Sequence, residues 1–141
     1  MFEHIMVPYD SSEPAKRALE TAMDLAKRYS SKLSVVTHVP LRVDYCEEGA
    51  TYAETVKLLK QTATYSLSKL ETGLLEKGIP CELKVVEGVS TTESLLSYSD
   101  LHHVDLIVMG SRGLGGFKKL LLGSTASGVV QHARCGVLIV K

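Results

Sequence analysis

The residue types that can do chemistry gather in two stretches of this chain. The first is Pro8-Tyr9-Asp10-Ser11-Ser12, a carboxylate beside hydroxyls, directly ahead of a helical pattern. The second is Gly110-Ser111-Arg112-Gly113-Leu114-Gly115-Gly116, with Gly123-Ser124-Thr125 further on. Glycines admit positive φ and close backbone approach, so successive N–H groups can converge on an anion. Gly123-Ser124-Thr125 opens another helical pattern, whose unpaired N–H groups and positive dipole end favour phosphate. Arg112, Lys118 and Lys119 supply basic side chains nearby. The chemistry that suits this pattern is the holding of a phosphate.

Two common phosphate motifs fail here. There is no GxxxxGK[ST], so the loop is not a Walker A loop. A dinucleotide fingerprint starting Gly113-x-Gly115 needs a glycine where Lys118 stands, and belongs after the first strand rather than the fourth. Each candidate also has an ordinary structural use. Asp10 could cap the following helix, Gly110 and Gly113 could be turn residues, and Gly123-Ser124 an N-cap. Arg112, Lys118 and Lys119 could be solvated side chains. His38 closes a core strand and reads as a satisfied structural histidine. His102 and His103 are adjacent, so a helix turns them about 100° apart, a poor metal pair. His4 and His132 are isolated, and no metal site is expected beyond Mg²⁺ arriving with a nucleotide. Catalysis needs a positioned base or charge clamp, and no obvious acid–base pair or Ser-Gly-Gly-x-Asp loop supplies one.

The elements that must position these residues follow from apolar patterning. His4 to Pro8 reads as a first strand. Helix 1 carries Ala15, Ala18, Leu19, Ala22, Leu25, Ala26 and Tyr29 on one face, capped by Ser11 or Ser12, with Pro14 in its first turn. Leu33 to Val39 is the second strand, and 41–50 reads as a loop. Thr51 with Glu54 is a capping box that opens a helix running to Gly78. At about 26 residues it measures roughly 39 Å, longer than a sheet it could lie on, so part of it must project. Cys81 to Val86 is a more exposed strand, Ser90 with Glu93 opens a third helix, and Asp105 to Met109 has the unbroken apolar character of a buried parallel strand. A fourth helix over Ser124 to His132 precedes the last strand, Val137 to Val140. The alternation βαβαβαβαβ predicts a doubly wound α/β domain, in which ligands bind beyond the C-terminal strand ends.

At 141 residues, the chain reads as one domain spanning 1–141. Sixteen basic residues balance sixteen acidic ones, which argues against nucleic-acid or membrane-surface binding driven by a basic excess. No apolar run reaches the 18 or so residues of a membrane span. Cys46, Cys81 and Cys135 are odd in number and widely spaced, as expected of inert thiols in a reducing compartment, and the cytoplasm is the expected location.

The stretch Gly110-x2-Gly113-x9-Gly123-Ser124 resembles the G-x2-G-x9-G-[ST] signature of the ATP-binding branch of the universal stress protein family. The resemblance covers the whole chain, with Pro8-Tyr9-Asp10-Ser11-Ser12, Thr37-His38-Val39 and Val104 to Gly110 similar to further family segments. It implies a five-stranded parallel sheet in order 3-2-1-4-5, of the adenine nucleotide alpha hydrolase-like kind. It also implies a regulatory, stress-response module that binds ATP (or AMP or ADP) with Mg²⁺, with at most slow hydrolysis. Asp10 would then meet the ribose or the base edge, with Pro8 and Tyr9 beside it and Ser11 next in line. Val39 would pack on adenine, and Met109 and Gly110 would line the floor. Gly113, Gly123, Ser124 and Thr125 would hold the phosphates, with Arg112 at hand. The resemblance further implies a homodimer through Val137 to Lys141. The alternative it carries is a dimeric interaction protein without nucleotide. Three departures stand out: a bulky Tyr9, Ser11 where glycine is frequent, and Gly136 in place of a usual proline.

Overall fold

In a computed structural model, which describes residues 1–41, 49, 51–113 and 121–141, strand and helix alternate as the patterning requires. The order is β1 (His4–Pro8), α1 (Glu13–Tyr29), β2 (Lys32–Pro40), α2 (Tyr52–Glu76), β3 (Cys81–Gly88), α3 (Thr91–Leu101), β4 (Leu106–Gly110), α4 (Ser124–His132) and β5 (Gly136–Val140). Local chemistry sets the helix ends. The Ser12 side chain accepts from the Ala15 N–H and caps α1, whose last turn carries Lys27 and Arg28 against the negative dipole end. Thr51 and Glu54 form the expected reciprocal capping box on α2. That helix stops two residues before Gly78, which takes a φ of +66°. Its buried residues are Ala63, Leu67 and Leu74, whereas Tyr52 and Leu58 near its start are exposed. Lys60 in its N-terminal half nevertheless pairs with Glu87 of β3, so the helix keeps contact with the sheet edge and the expected projection is not seen there.

The five strands are parallel and ordered β3-β2-β1-β4-β5. The strand period of two sorts their side chains onto two faces. Ile5, Val7, Leu33, Val35, Leu106 and Val108 pack with α1 and α2 in one core. Met6, Val36, Ile107 and Met109 pack with α3 and α4 in the other. The helices change face between β1 and β4, the two strands that diverge from the switch point. Among the described residues, no helix is long and apolar enough to cross a membrane.

A buried polar joint ties the N-terminal ends of the strands together. The main-chain N–H groups of Glu3 and His4 both donate to Asp105 Oδ2, each at 2.9 Å. His4 Nδ1 lies 3.0 Å from His102 O and Nε2 lies 2.7 Å from Ser34 Oγ. The carbonyl can only accept, so Nδ1 donates and the Ser34 hydroxyl donates to Nε2. Burial pushes the His4 imidazole below its ordinary value of 6.5, and burial does the same to His38. The unfolded chain thus takes up protons that the folded chain refuses. Stability is expected to be full above about pH 6.5 and to fall as the pH drops below it. Urea midpoints at pH 7.5 and 5.5 check this, and the difference should shrink in His4→Gln. An equal pH dependence in that variant would count against His4 as a source.

Candidate functional site

A cleft of about 650 Å³ opens at the C-terminal ends of β1, β2 and β4. Its volume falls within the roughly 300–1,000 Å³ of small-molecule sites. Pro8, Tyr9 and Asp10 leave β1 on one side, and Met109 and Gly110 end β4 on the floor. Arg112 and Gly113 follow β4, and Gly123, Ser124 and Thr125 open α4 across from them. The remaining wall comes from β2, through Val36, His38 and Pro40, and from α3, through Thr91 and Leu95. Ser11 and Val39 do not line the cleft.

Asp10 is not the cap of α1; Ser12 is. Asp10 Oδ1 instead accepts from the Ser12 N–H at 3.0 Å, an Asx turn that holds the carboxylate at the mouth of the helix. Its other oxygen lies against Gly113, where an added Cβ would stand 2.6 Å from Asp10 Oδ2. Glycine at 113 is what lets the carboxylate occupy its place. Gly110 serves a different end. A Cβ there would stand 2.6 Å from Pro14 Cβ and 2.8 Å from the Pro14 carbonyl carbon, so β4 reaches the first turn of α1 only without a side chain.

Gly123 is different again. Its φ is −66°, and an added Cβ would clear every neighbour by at least 3.4 Å. Nothing in the packing of the described residues requires a glycine at this N-cap. Its N–H donates to Ser111 O at 2.6 Å, and α4 has no side-chain cap bond. The first turn of α4 thus faces the cleft with Ser124 and Thr125 and without a capping side chain over it.

Tyr9 is tied at both main-chain groups. Its N–H donates to Val36 O and its carbonyl accepts from Thr37 Oγ1, each at 2.8 Å. The residue is only 6% exposed and belongs to the α1/α2 core. Ser11 takes a φ of +66°, which explains why glycine suits that position, and its Oγ lies 2.6 Å from Ser66 Oγ on α2. Val39 is 2% exposed, one residue out of step with the cleft wall of Val36, His38 and Pro40. The period of two sends its side chain to the other face of β2.

Sequence reasoning missed that β2 wall and its α3 neighbours. His38 is satisfied, with Nε2 at 2.9 Å from Gly88 O and Nδ1 at 3.0 Å from Thr91 Oγ1, but it lines the cleft as well. The available signal was the Ser90 capping box, which puts Thr91 at the N-terminus of a helix and hence at the ligand end of the sheet. Leu114, Gly115, Gly116, Lys118, Lys119 and Cys46 lie outside the described residues. Burial pushes the Cys81 thiol up to about 11, so it stays protonated and a poor nucleophile. Among the described residues, no cluster of His, Cys, Asp or Glu could hold a metal ion by itself.

The family model of the universal stress proteins matches residues 1–141. This chain belongs to the universal stress protein family. A universal stress protein of Thermus aquaticus is 33% identical over 141 residues, covering 100% of both chains. In solved structures, UspA from Lactobacillus plantarum superposes with a TM-score of 0.85 at 26% identity, over 99% of this chain and 98% of that one. Two more distant family structures hold nucleotides of their own. One is a complex with cAMP, with a TM-score of 0.74 at 24% identity over 99% of this chain and 97% of that one. The other is from Arabidopsis thaliana with AMP bound, with a TM-score of 0.70 at 20% identity over 98% of this chain and 90% of that one.

Proposed function

We propose that this universal stress protein is a regulatory module that binds ATP, or AMP or ADP, in the cleft between β1 and β4. The observation that carries the reading is the pairing of Asp10 with Gly113 opposite an α4 N-terminus without a side-chain cap. A carboxylate held at one point and free-facing helix amides at another match a ribose and a phosphate chain. Gly123 adds to this, because no close contact with a described residue calls for its missing side chain. The cAMP and AMP held by distant family structures support an adenine nucleotide over other phosphates.

The residues present suit Mg-ATP. Backbone and hydroxyl groups of Gly113, Ser124 and Thr125 would hold the phosphates, and Asp10 is the one carboxylate among the described lining residues. When bound, Mg²⁺ would neutralise phosphate charge, keeping most of its water. Of the lining groups that could act as a base, His38 is bonded to Gly88 O and Thr91 Oγ1, and Asp10 accepts from the Ser12 N–H. Hydrolysis is therefore expected to be slow and occupancy itself to be the signal. The module is read as a cytoplasmic homodimer pairing through β5, which stands at an edge of the sheet with Leu138 exposed.

Calorimetric titration of nucleotide-stripped protein with Mg-ATP, with GTP as comparator, tests the reading. One ATP per chain at micromolar Kd, about −8 kcal/mol, is expected. No heat and no thermal shift at millimolar ATP would leave the cleft a structural feature and favour an interaction protein that works without nucleotide.

A further inference from the structure

The two ends of the cleft differ in chemistry. Gly113, Ser124 and Thr125 form the end suited to phosphate, so a nucleotide held there extends its base toward the opposite wall. That wall is apolar along Val36 and Leu95, 0% and 2% exposed, and ends in the linked side chains of His38 and Thr91.

The polarity of this link can be worked out. Gly88 O can only accept, so His38 Nε2, 2.9 Å away, carries the proton. In a neutral ring, Nδ1 is then a lone pair, and the Thr91 hydroxyl 3.0 Å from it must be the donor. That commits the hydroxyl's single proton, so Thr91 Oγ1 has only lone pairs to offer a ligand in the cleft that Thr91 lines. Burial holds His38 below the usual histidine range, which keeps the ring neutral at pH 7. The parts are fixed in place: His38 pairs with Val86 in the sheet, and Ser90 caps the turn that carries Thr91. A side chain at Gly88 would strike Ser94 Oγ, so glycine there lets the end of β3 lie against α3 while its carbonyl meets His38.

We propose that His38, acting through Thr91, makes the base end of the cleft an obligate acceptor that selects 6-amino purines over 6-oxo purines. The exocyclic amine of adenine donates to Thr91 Oγ1. The O6 of hypoxanthine or guanine brings lone pairs against lone pairs, with no proton to share between them. His38 is a positioning residue here, and Thr91 is the atom that reads the base. The inference rests on the nucleotide reading above.

ATP and ITP titrations test it, since the two differ only at position 6 and in the proton on N1. The wild-type protein is expected to prefer ATP by about tenfold or more, the worth of one hydrogen bond. Thr91→Val should bring the ratio toward one, and Thr91→Ser should restore it. His38→Phe should also collapse the ratio, whereas a purely structural strut would change both affinities together. An unchanged ratio in Thr91→Val with ATP still bound overturns the role of Thr91 and leaves the nucleotide reading standing. No binding of either nucleotide to the wild type sinks both. Long-range ¹H–¹⁵N spectra of the ligand-free protein give a check that no variant's folding can spoil. They should report the Nε2–H tautomer of His38, and the Nδ1–H tautomer overturns the inference.

Discussion

Gly113→Val is expected to leave the protein folded and to remove most of its affinity for ATP. The added Cβ would stand 2.6 Å from Asp10 Oδ2 and 3.8 Å from Asp10 Cγ. Gly113 itself is exposed, and the atom it meets is the end of a side chain. Stability should therefore change by no more than about 0.5 kcal/mol. The carboxylate must swing away, and the Asx turn through the Ser12 N–H at 3.0 Å must break or bend. Loss of one charged hydrogen-bonding group is worth about 1.5–3 kcal/mol, or roughly 10–150-fold in Kd. Calorimetry beside a thermal melt reads both quantities on one preparation. An unaltered Kd with an unaltered melt would remove Asp10 from the site.

Much of the fold was legible because it is written in local periods. The apolar run Leu106–Met109 sits in β4 and the long stripe of α2 runs to Glu76, as the pattern requires. Element ends moved by a residue or two: β2 extends to Pro40 and β3 to Gly88, because pairing with a neighbour, not composition, decides where a ladder stops. Strand order lies outside any local period. It came from the family resemblance, and the sheet has that order.

Of the residues singled out in the sequence, most line the cleft, and their roles within it were less legible. Gly110, Gly113 and Gly123 look alike in a glycine-rich stretch. Their differences lie in what stands opposite: a clash with Pro14, a clash with Asp10, and ordinary contact with Ser111 and Arg112, which is information carried by other parts of the chain. Val39 and His38 show the same limit. Both belong to one strand, and one step of register decides that His38 borders the cleft and Val39 does not. Which face holds the ligand follows from where the helices change sides, a property of the whole sheet.

Gly110→Ala carries the opposite expectation to Gly113→Val, a loss of stability that does not wait on ligand. Its Cβ would stand 2.6 Å from Pro14 Cβ, 2.8 Å from Pro14 C and 3.0 Å from Pro14 O. Two of these three are main-chain atoms, and the proline ring fixes φ at its own position, so no rotamer relieves the contact. The relief has to come from sliding the first turn of α1 against β4, beside the fully buried Val7 and Val108. Overpacking of this kind costs about 1–3 kcal/mol. The melting temperature should fall by about 2–4 °C for each kcal/mol. Pro14→Gly in the same chain removes the nearest atom but leaves the carbonyl, so a double-mutant cycle should recover only part of the loss. Full recovery would locate the clash in the proline ring alone. No loss in Gly110→Ala would mean that α1 yields freely at the switch point and that packing against Pro14 is not what a glycine at 110 serves.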